Sequence, residues 1–466
     1  MKRREFLKTG ALLGTGVFLE GGPAAFAASA RAEQRPNLLF VMTDQQTARA
    51  MSCAGNNDLK TPAMDFLAEH GHRFTRAYCP QPLCGPSRSS MFTGRMPHEV
   101  NATRNLPQTP GHWQNLPMMG ALMKTAGYDT GYVGKWHLPV PVQEKELHGF
   151  DFIIEKTHGN WADPSIPFDC QDFLSRKRSQ PFLLVASFTN PHDICEWARG
   201  EALRQDFIGA APAPALCPEL PHNFEIPRDE PEILREIQAL SWKQYPTREW
   251  DEDRWRQYRW AYNRLTEKVD YYIGMLIETL KKTGQLENTV IIFTSDHGDG
   301  CGSHRWNQKQ ILYEEVINVP FIVSLPGRSR ARTDDRLVSA GLDILPTLLD
   351  FAGTPQPAWM NGRSLRPLLE GQKTTWRDHL VVETEFAEGS KLYGVSGRSV
   401  IAPSHKYTIY SQGKKREQFF DLAADPGETN DLLHQSAENK QLKQLKKQLA
   451  AWVETTRDPF VQFLNP

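Results

Sequence analysis

Residues 37–45 read Asn37-Leu38-Leu39-Phe40-Val41-Met42-Thr43-Asp44-Gln45. Apolar side chains on both parities predict a strand buried on both faces, as in parallel sheets, with polar groups at its carboxyl end. The same plan recurs at residues 182–188, which run into Thr189-Asn190-Pro191-His192, and at 289–293, which run into Ser295-Asp296-His297-Gly298. Helical patterns lie between these strands. Thr61-Pro62 offers a cap and a first-turn proline for a helix closing at Gly71, and residues 256–282 read as a long amphipathic helix stopped by Gly284. Apolar strands alternating with helices predict an α/β fold with a mostly parallel sheet covered on both faces. Ligands of such sheets bind beyond the carboxyl ends of the strands. Three strands reach that edge with Asp or His, which marks it as a candidate site.

Residues 193–250 break the pattern. They carry Pro212, Pro214, Pro218, Pro221, Pro227 and Pro231 together with Trp197, Trp242 and Trp250. This reads as a long insertion over the strand ends, where loops set specificity. Beyond a helix-like segment at 342–351, short strand-like runs at 380–383, 407–410 and 418–422 precede a charged helix near 437–452. A main domain at 33–370 and a smaller C-terminal α+β subdomain at 371–466 are expected.

The 466 residues carry a formal net charge of -1, which gives no electrostatic footing for nucleic acid or an anionic membrane. An anionic substrate must be met by a local cluster of positive groups. Lys2-Arg3-Arg4-Glu5-Phe6-Leu7-Lys8 precedes a short apolar run at 11–19 and the cleavage-like Ala28-Ser29-Ala30. Residues 1–30 therefore read as a twin-arginine-type signal peptide, which predicts export of the folded protein to the periplasm. The apolar run is too short to cross ~30 Å of hydrocarbon, so no stable membrane anchor is expected. Seven cysteines, an odd number, leave at least one unpaired, and without a CxxC pair a structural zinc site is not expected.

The sharpest motif is Cys84-Gly85-Pro86-Ser87-Arg88, continuing to Thr93-Gly94-Arg95. On its residues alone, Cys84 is either a low-pKa thiolate at a helix N-terminus or a buried structural cysteine. The motif resembles the signature of the formylglycine-dependent (type I) sulfatases, in which the cysteine is oxidised to an aldehyde. Family-like segments recur in family order. They are Asp44, Gly134-Lys135-Trp136-His137, Asn190-Pro191-His192, Ser295-Asp296-His297-Gly298-Asp299, Lys309, Leu342-Asp343-Ile344-Leu345-Pro346-Thr347, Phe420-Asp421-Leu422 and Asp425-Pro426-Gly427-Glu428. The resemblance implies an alkaline-phosphatase-like α/β fold with a small C-terminal subdomain. It also implies hydrolysis of sulfate monoesters and a formylglycine-generating enzyme as partner.

The resemblance further implies a divalent cation, with calcium favoured by hard oxygen ligands, held by Asp44, Gln45, Asp296, His297 and position 84. Gln45 departs from the family, where a second Asp is usual, and His297 is a less natural calcium ligand than Asn. Arg88 would fix the nucleophile and the ligand carboxylates through its rigid fork of donors. One hydroxyl of the hydrated aldehyde would attack sulfur, and His137 would take the proton from the other to expel sulfate. Lys135, His192 and Lys309 would bind sulfate, the last two also serving the departing alcohol, with His304 expected to share that task. The runner-up readings are a phosphodiester or phosphonate-ester hydrolase of the same superfamily and an inactive glycan-binding relative. Glu196 and Trp197, beyond His192, suit stacking against a sugar ring and point to a sulfated carbohydrate.

Overall fold

The run at 37–42 does form a fully covered strand, because it lies at the centre of a sheet with helices on both sides. The computed structural model describes residues 35–156, 162–204, 207–327, 329–389, 391–435 and 439–464. The signal-like segment at 1–30 lies outside the described residues. In chain order the strands are β1 (Asn37–Asp44), β2 (Gly71–Phe74), β3 (Ala77–Tyr78), β4 (Asp129–Gly134), β5 (Phe152–Glu155), β6 (Phe182–Pro191) and β7 (Thr289–Ser295). They continue with β8 (Phe321–Ser324), β9 (Arg332–Asp334), β10 (Val338–Ser339), β11 (Leu380–Glu388), β12 (Lys391–Ile401), β13 (His405–Tyr410) and β14 (Glu417–Asp421). The main sheet runs β5-β4-β6-β1-β7-β8-β2-β9. β1, β4, β5, β6 and β7 are parallel, while β8 is antiparallel to both β7 and β2.

β1 shows why the sequence reads as continuous. Leu38, Phe40 and Met42 join one core with Phe92, Trp136 and Phe150, while Leu39 and Val41 join another with Phe173, Val269 and Ile273. The long helix is Glu252–Lys282, begun by the Asp251 side chain accepting from the Arg254 amide. The helix after Thr61 spans Pro62–Glu69, but the Thr61 side chain does not cap it. Asp270 of the long helix caps it instead, accepting from Ala63 N at 3.1 Å and Met64 N at 2.8 Å.

A four-stranded antiparallel sheet, β11-β12-β13-β14, occupies the C-terminal region. One face (Val400, Tyr407, Ile409, Phe419) packs on Leu442, Leu445, Leu449 and Val453 of helix Lys440–Thr456. Val382, Phe386, Ile401, Tyr410 and Phe420 of the same sheet enter the core shared with β1. Both sheets accordingly fall in one compact unit beginning at Pro36. The terminal sheet also steadies the loop that carries Lys309. Gln310 Oε1 accepts from Ala387 N at 2.7 Å, its Nε2 donates to Ala387 O at 2.9 Å, and its carbonyl accepts from Thr384 at 2.6 Å.

Within the insertion, Trp197 meets Trp250 and Tyr258 edge-on, and Arg254 lies 3.9 Å above the Trp197 ring. Glu196 is buried and paired with Arg199 at 3.0 Å and Arg204 at 2.7 Å. Trp197 is half-buried within this aromatic cluster on the long helix, and the Glu196 carboxylate lies within 4.8 Å of ligand atoms of His192 and Asp193.

Candidate active site

The carboxyl edge of the sheet gathers most of the expected residues. Asp44 ends β1, Lys135 and His137 follow β4, His192 follows β6, and Asp296 and His297 follow β7. Cys84 is the first residue of helix Cys84–Thr93, every residue of which is buried. Its Sγ stands where the reactive oxygen of a formylglycine would lie. Lys309 Nζ and His297 Nε2 each lie 3.2 Å from this sulfur, and Asp44 Oδ1 lies at 3.5 Å. His137 is close enough to the Cys84 side chain to lower the thiol pKa.

Behind Cys84 is a charge lattice. Arg88, fully buried, donates from Nε to Asp296 Oδ2 at 2.8 Å and from its terminal nitrogens to Asp44 Oδ2 at 3.1 Å and Lys135 O at 2.8 Å. Lys135 Nζ lies 2.5 Å from Asp44 Oδ2, and Lys309 Nζ lies 3.1 Å from His192 Nε2. Burial raises the Cys84 thiol pKa, but Lys309, Lys135 and His297 outweigh it and hold the group well below its ordinary value. Burial and the Asp44 charge push the Asp296 carboxyl up to about 7. Burial also raises Asp44, yet Lys135, His192 and Arg88 leave its pKa below the usual carboxylate range. Burial, then Lys309 and Lys135, hold His192 down to about 3, and burial lowers His137.

Ligand atoms of Asp44, Cys84, Asp296 and His297 lie within 4.8 Å of one another. His297 Nδ1 lies 2.9 Å from the Gly298 carbonyl and so carries a proton, while its Nε2 faces Cys84 Sγ at 3.2 Å. Burial opposes charge on this ring, but Asp296 and Cys84 outweigh it and raise the pKa, so a bound cation would take the place of the Nε2 proton. Two buried carboxylates that repel one another, beside an imidazole nitrogen 3.8 and 3.7 Å from them, fit a divalent cation, whose charge would relieve that repulsion. Gln45 joins the cluster through its backbone N, which donates to Asp296 Oδ1 at 3.2 Å. Its side-chain Nε2 donates to Asp299 Oδ2 at 2.8 Å.

His304 is not brought to this cluster. Its ring stacks on Tyr313 at 4.0 Å, and its Nε2 lies 3.4 Å from Asn223 Nδ2. A left-handed backbone at His304 (φ 53°) turns the side chain into that packed layer, so the expected share in substrate binding is corrected to a structural role. Asp299 and Tyr258 were not singled out from sequence as site residues. The Tyr258 hydroxyl bonds to both oxygens of Asp299, at 3.0 and 2.8 Å.

Residues 36–354 match the sulfatase family, and residues 302–455 match the C-terminal region of N-sulphoglucosamine sulphohydrolase. A Delta 4,5-hexuronate-2-O-sulfatase of Bacteroides thetaiotaomicron is 32% identical over 460 residues, covering 94% of this chain and 93% of the relative. An N-acetylglucosamine-6-O-sulfatase of the same organism is 28% identical, covering 89% of this chain and 86% of the relative. A solved 2-O GAG sulfatase superposes with a TM-score of 0.80 at 29% identity, over 92% of this chain and 94% of that one. The chain belongs to the sulfatase family, within the alkaline-phosphatase-like superfamily. It is a sulfuric ester hydrolase.

Proposed function

We propose that the protein is an exported carbohydrate sulfatase that uses a formylglycine made from Cys84 and a calcium ion held by Asp44, Gln45, Asp296, His297 and position 84. The observation that carries this reading is the setting of Cys84, a buried helix-start residue with Lys309, His297 and Asp44 all within 3.5 Å of its sulfur. The relatives named for hexuronate 2-O-sulfate and N-acetylglucosamine 6-O-sulfate support a sulfated sugar, and a 2-O-sulfated hexuronate is the first candidate. All seven cysteines are free, which suits a protein folded and modified in a reducing cytoplasm before twin-arginine export.

When bound, the cation would neutralise sulfate charge, and the aldehyde hydrate at position 84 would supply the oxygen nucleophile. Arg88 holds Asp44 and Asp296 in place, so the carboxylates need not reorganise as charge develops. Lys135 and Lys309 meet the sulfate oxygens. Burial works against the Lys309 ammonium, but Cys84, Cys195 and Asp44 keep its pKa above the ordinary lysine value. Lys309 thus carries a proton beside His192, and the pair serves the alcohol oxygen as its bond to sulfur breaks. His137 is neutral, its Nδ1 is buried without a hydrogen-bond partner, and it acts as the base at position 84.

The test is a substrate panel with purified, modified enzyme. Sulfated hexuronates and hexosamines should be turned over with kcat/KM well above that for phosphate diesters and phosphonate esters. A preference for the phosphorus esters would move the assignment to the other hydrolases of the superfamily, and binding without turnover would make the chain a glycan-binding relative.

A further inference from the structure

Gln45 occupies a position where a carboxylate would offer oxygen whichever way it turned. An amide has one oxygen end and one nitrogen end, and only the oxygen can ligate a hard cation. Something must therefore decide which end of Gln45 faces the cluster. Its side chain is fully buried, and Nε2 donates to Asp299 Oδ2 at 2.8 Å. Cys195 Sγ is close to both ends, 3.4 Å from Nε2 and 3.6 Å from Oε1, so the thiol does not discriminate strongly between them.

Asp299 does discriminate. Its Oδ1 accepts from Cys301 N at 2.7 Å, its Oδ2 accepts from Gln308 N at 3.1 Å, and both oxygens are reached by the Tyr258 hydroxyl. Two backbone amides and a phenol pointing at one buried carboxyl mark it as an acceptor. An acceptor beside the Gln45 amide binds the NH2 end and turns the oxygen end elsewhere. The backbone of Gln45 is pinned as well, since its N donates to Asp296 Oδ1 at 3.2 Å and its carbonyl accepts from Tyr262 at 2.7 Å.

We propose that Asp299 is a positioning residue that orients the Gln45 amide so that its oxygen, and not its nitrogen, is offered to the cation. The inference rests on the reading of Asp44, Asp296, His297 and Gln45 as a cation site. It explains how a neutral residue can replace a carboxylate there. The charge moves outward to Asp299, which does not contact the cation and acts through the amide.

The test measures calcium retained by the mature enzyme, by atomic emission, against a graded EGTA series. Asp299→Asn keeps the shape but can present an NH2 group to Gln45, which favours the flipped amide. In the Gln45 background it should weaken calcium retention tenfold or more. In a Gln45→Asp background, where either orientation presents oxygen, the same change should weaken retention by less than about twofold. Tyr258→Phe, a milder change, should follow the same pattern with a smaller loss and serves if Asp299→Asn does not fold. Equal losses in both backgrounds would make Asp299 merely structural and overturn the proposal, as would no loss in either. Wild-type enzyme that retains no calcium before chelation would instead overturn the cation reading on which the proposal rests.

Discussion

Two buried clusters of acids and histidine lie near the junction of the two sheets, and they behave in opposite ways. In one, His98 Nδ1 meets Glu383 Oε2 at 2.6 Å, and Arg398 grips Asp458 through two bonds at 2.6 and 2.8 Å. Each of these ions has an opposite partner, and the cluster ties the Pro97–Val100 turn to β11 and the chain end. In the other, Asp44, Asp296 and His297 converge with Lys309 on the single atom at position 84. Both groupings hold residue types able to bind a metal. Arg398 pairs with Asp458 in the first cluster as Arg88 pairs with Asp44 and Asp296 in the second; the difference is Lys309, whose ammonium faces position 84 and His192 rather than a carboxylate. A closed set of pairs stabilises. A set whose charges outnumber its pairings is poised for a ligand and a reaction.

Substitutions should widen that contrast in a graded way. Cys84→Ala, which removes the nucleophile, should reduce sulfatase activity by about 10^4-fold or more while the protein remains folded. Asp296→Ala should remove bound metal and about 10^3-fold of activity together. It should also lower the Tm, since Arg88 loses one of its two buried carboxylates at a cost of about 3 kcal/mol. Unchanged metal content by atomic emission would place the cation elsewhere.

His192→Ala should cost about 10^2-fold on a sugar sulfate but less than tenfold on nitrophenyl sulfate, whose leaving group needs little protonation. His137→Ala should instead show a burst of nitrophenol near one per active site, followed by slow turnover. Equal losses on both substrates for His192, with no burst for His137, would break the division of labour between them.

The closed cluster should yield the smallest effect, and in stability alone. Burial opposes charge on His98, but the bond to Glu383 and the charges of Glu383 and Asp458 outweigh it and raise the pKa. The protonated pair therefore contributes fully below the ordinary histidine pKa of about 6.5, and the contribution is lost as pH rises through the raised folded value. His98→Gln should cost about 1–2 kcal/mol at pH 5.5 and less at pH 9, with kcat unchanged at neutral pH. A Tm difference that does not shrink with pH would contradict this.

Much of the scaffold was legible because β1, β6 and β7 are covered on both faces, which leaves an unbroken apolar run in the sequence. The short strands β2, β8 and β9 were not singled out, since runs such as Gly71–Phe74 carry too few residues to show a period. The site residues at strand ends were legible as a pattern. His304 misled because chain proximity to His297 says nothing of side-chain direction, which a left-handed turn decides. Asp299 lay inside a recognised segment, yet its partner Tyr258 is 41 residues earlier on another helix, and no local signal joins them. The tryptophans could not be read for a related reason. An aromatic in a proline-rich loop reads the same whether it meets a sugar or, as Trp197 does, another tryptophan.

The atom on which Lys309, His297 and Asp44 converge should belong to a formylglycine. Mass spectrometry of the peptide containing residue 84, taken from active purified enzyme, tests it directly. The aldehyde mass is expected at that residue, together with reaction there with a hydrazide probe. Fully active enzyme whose residue 84 carries only the cysteine thiol would contradict it.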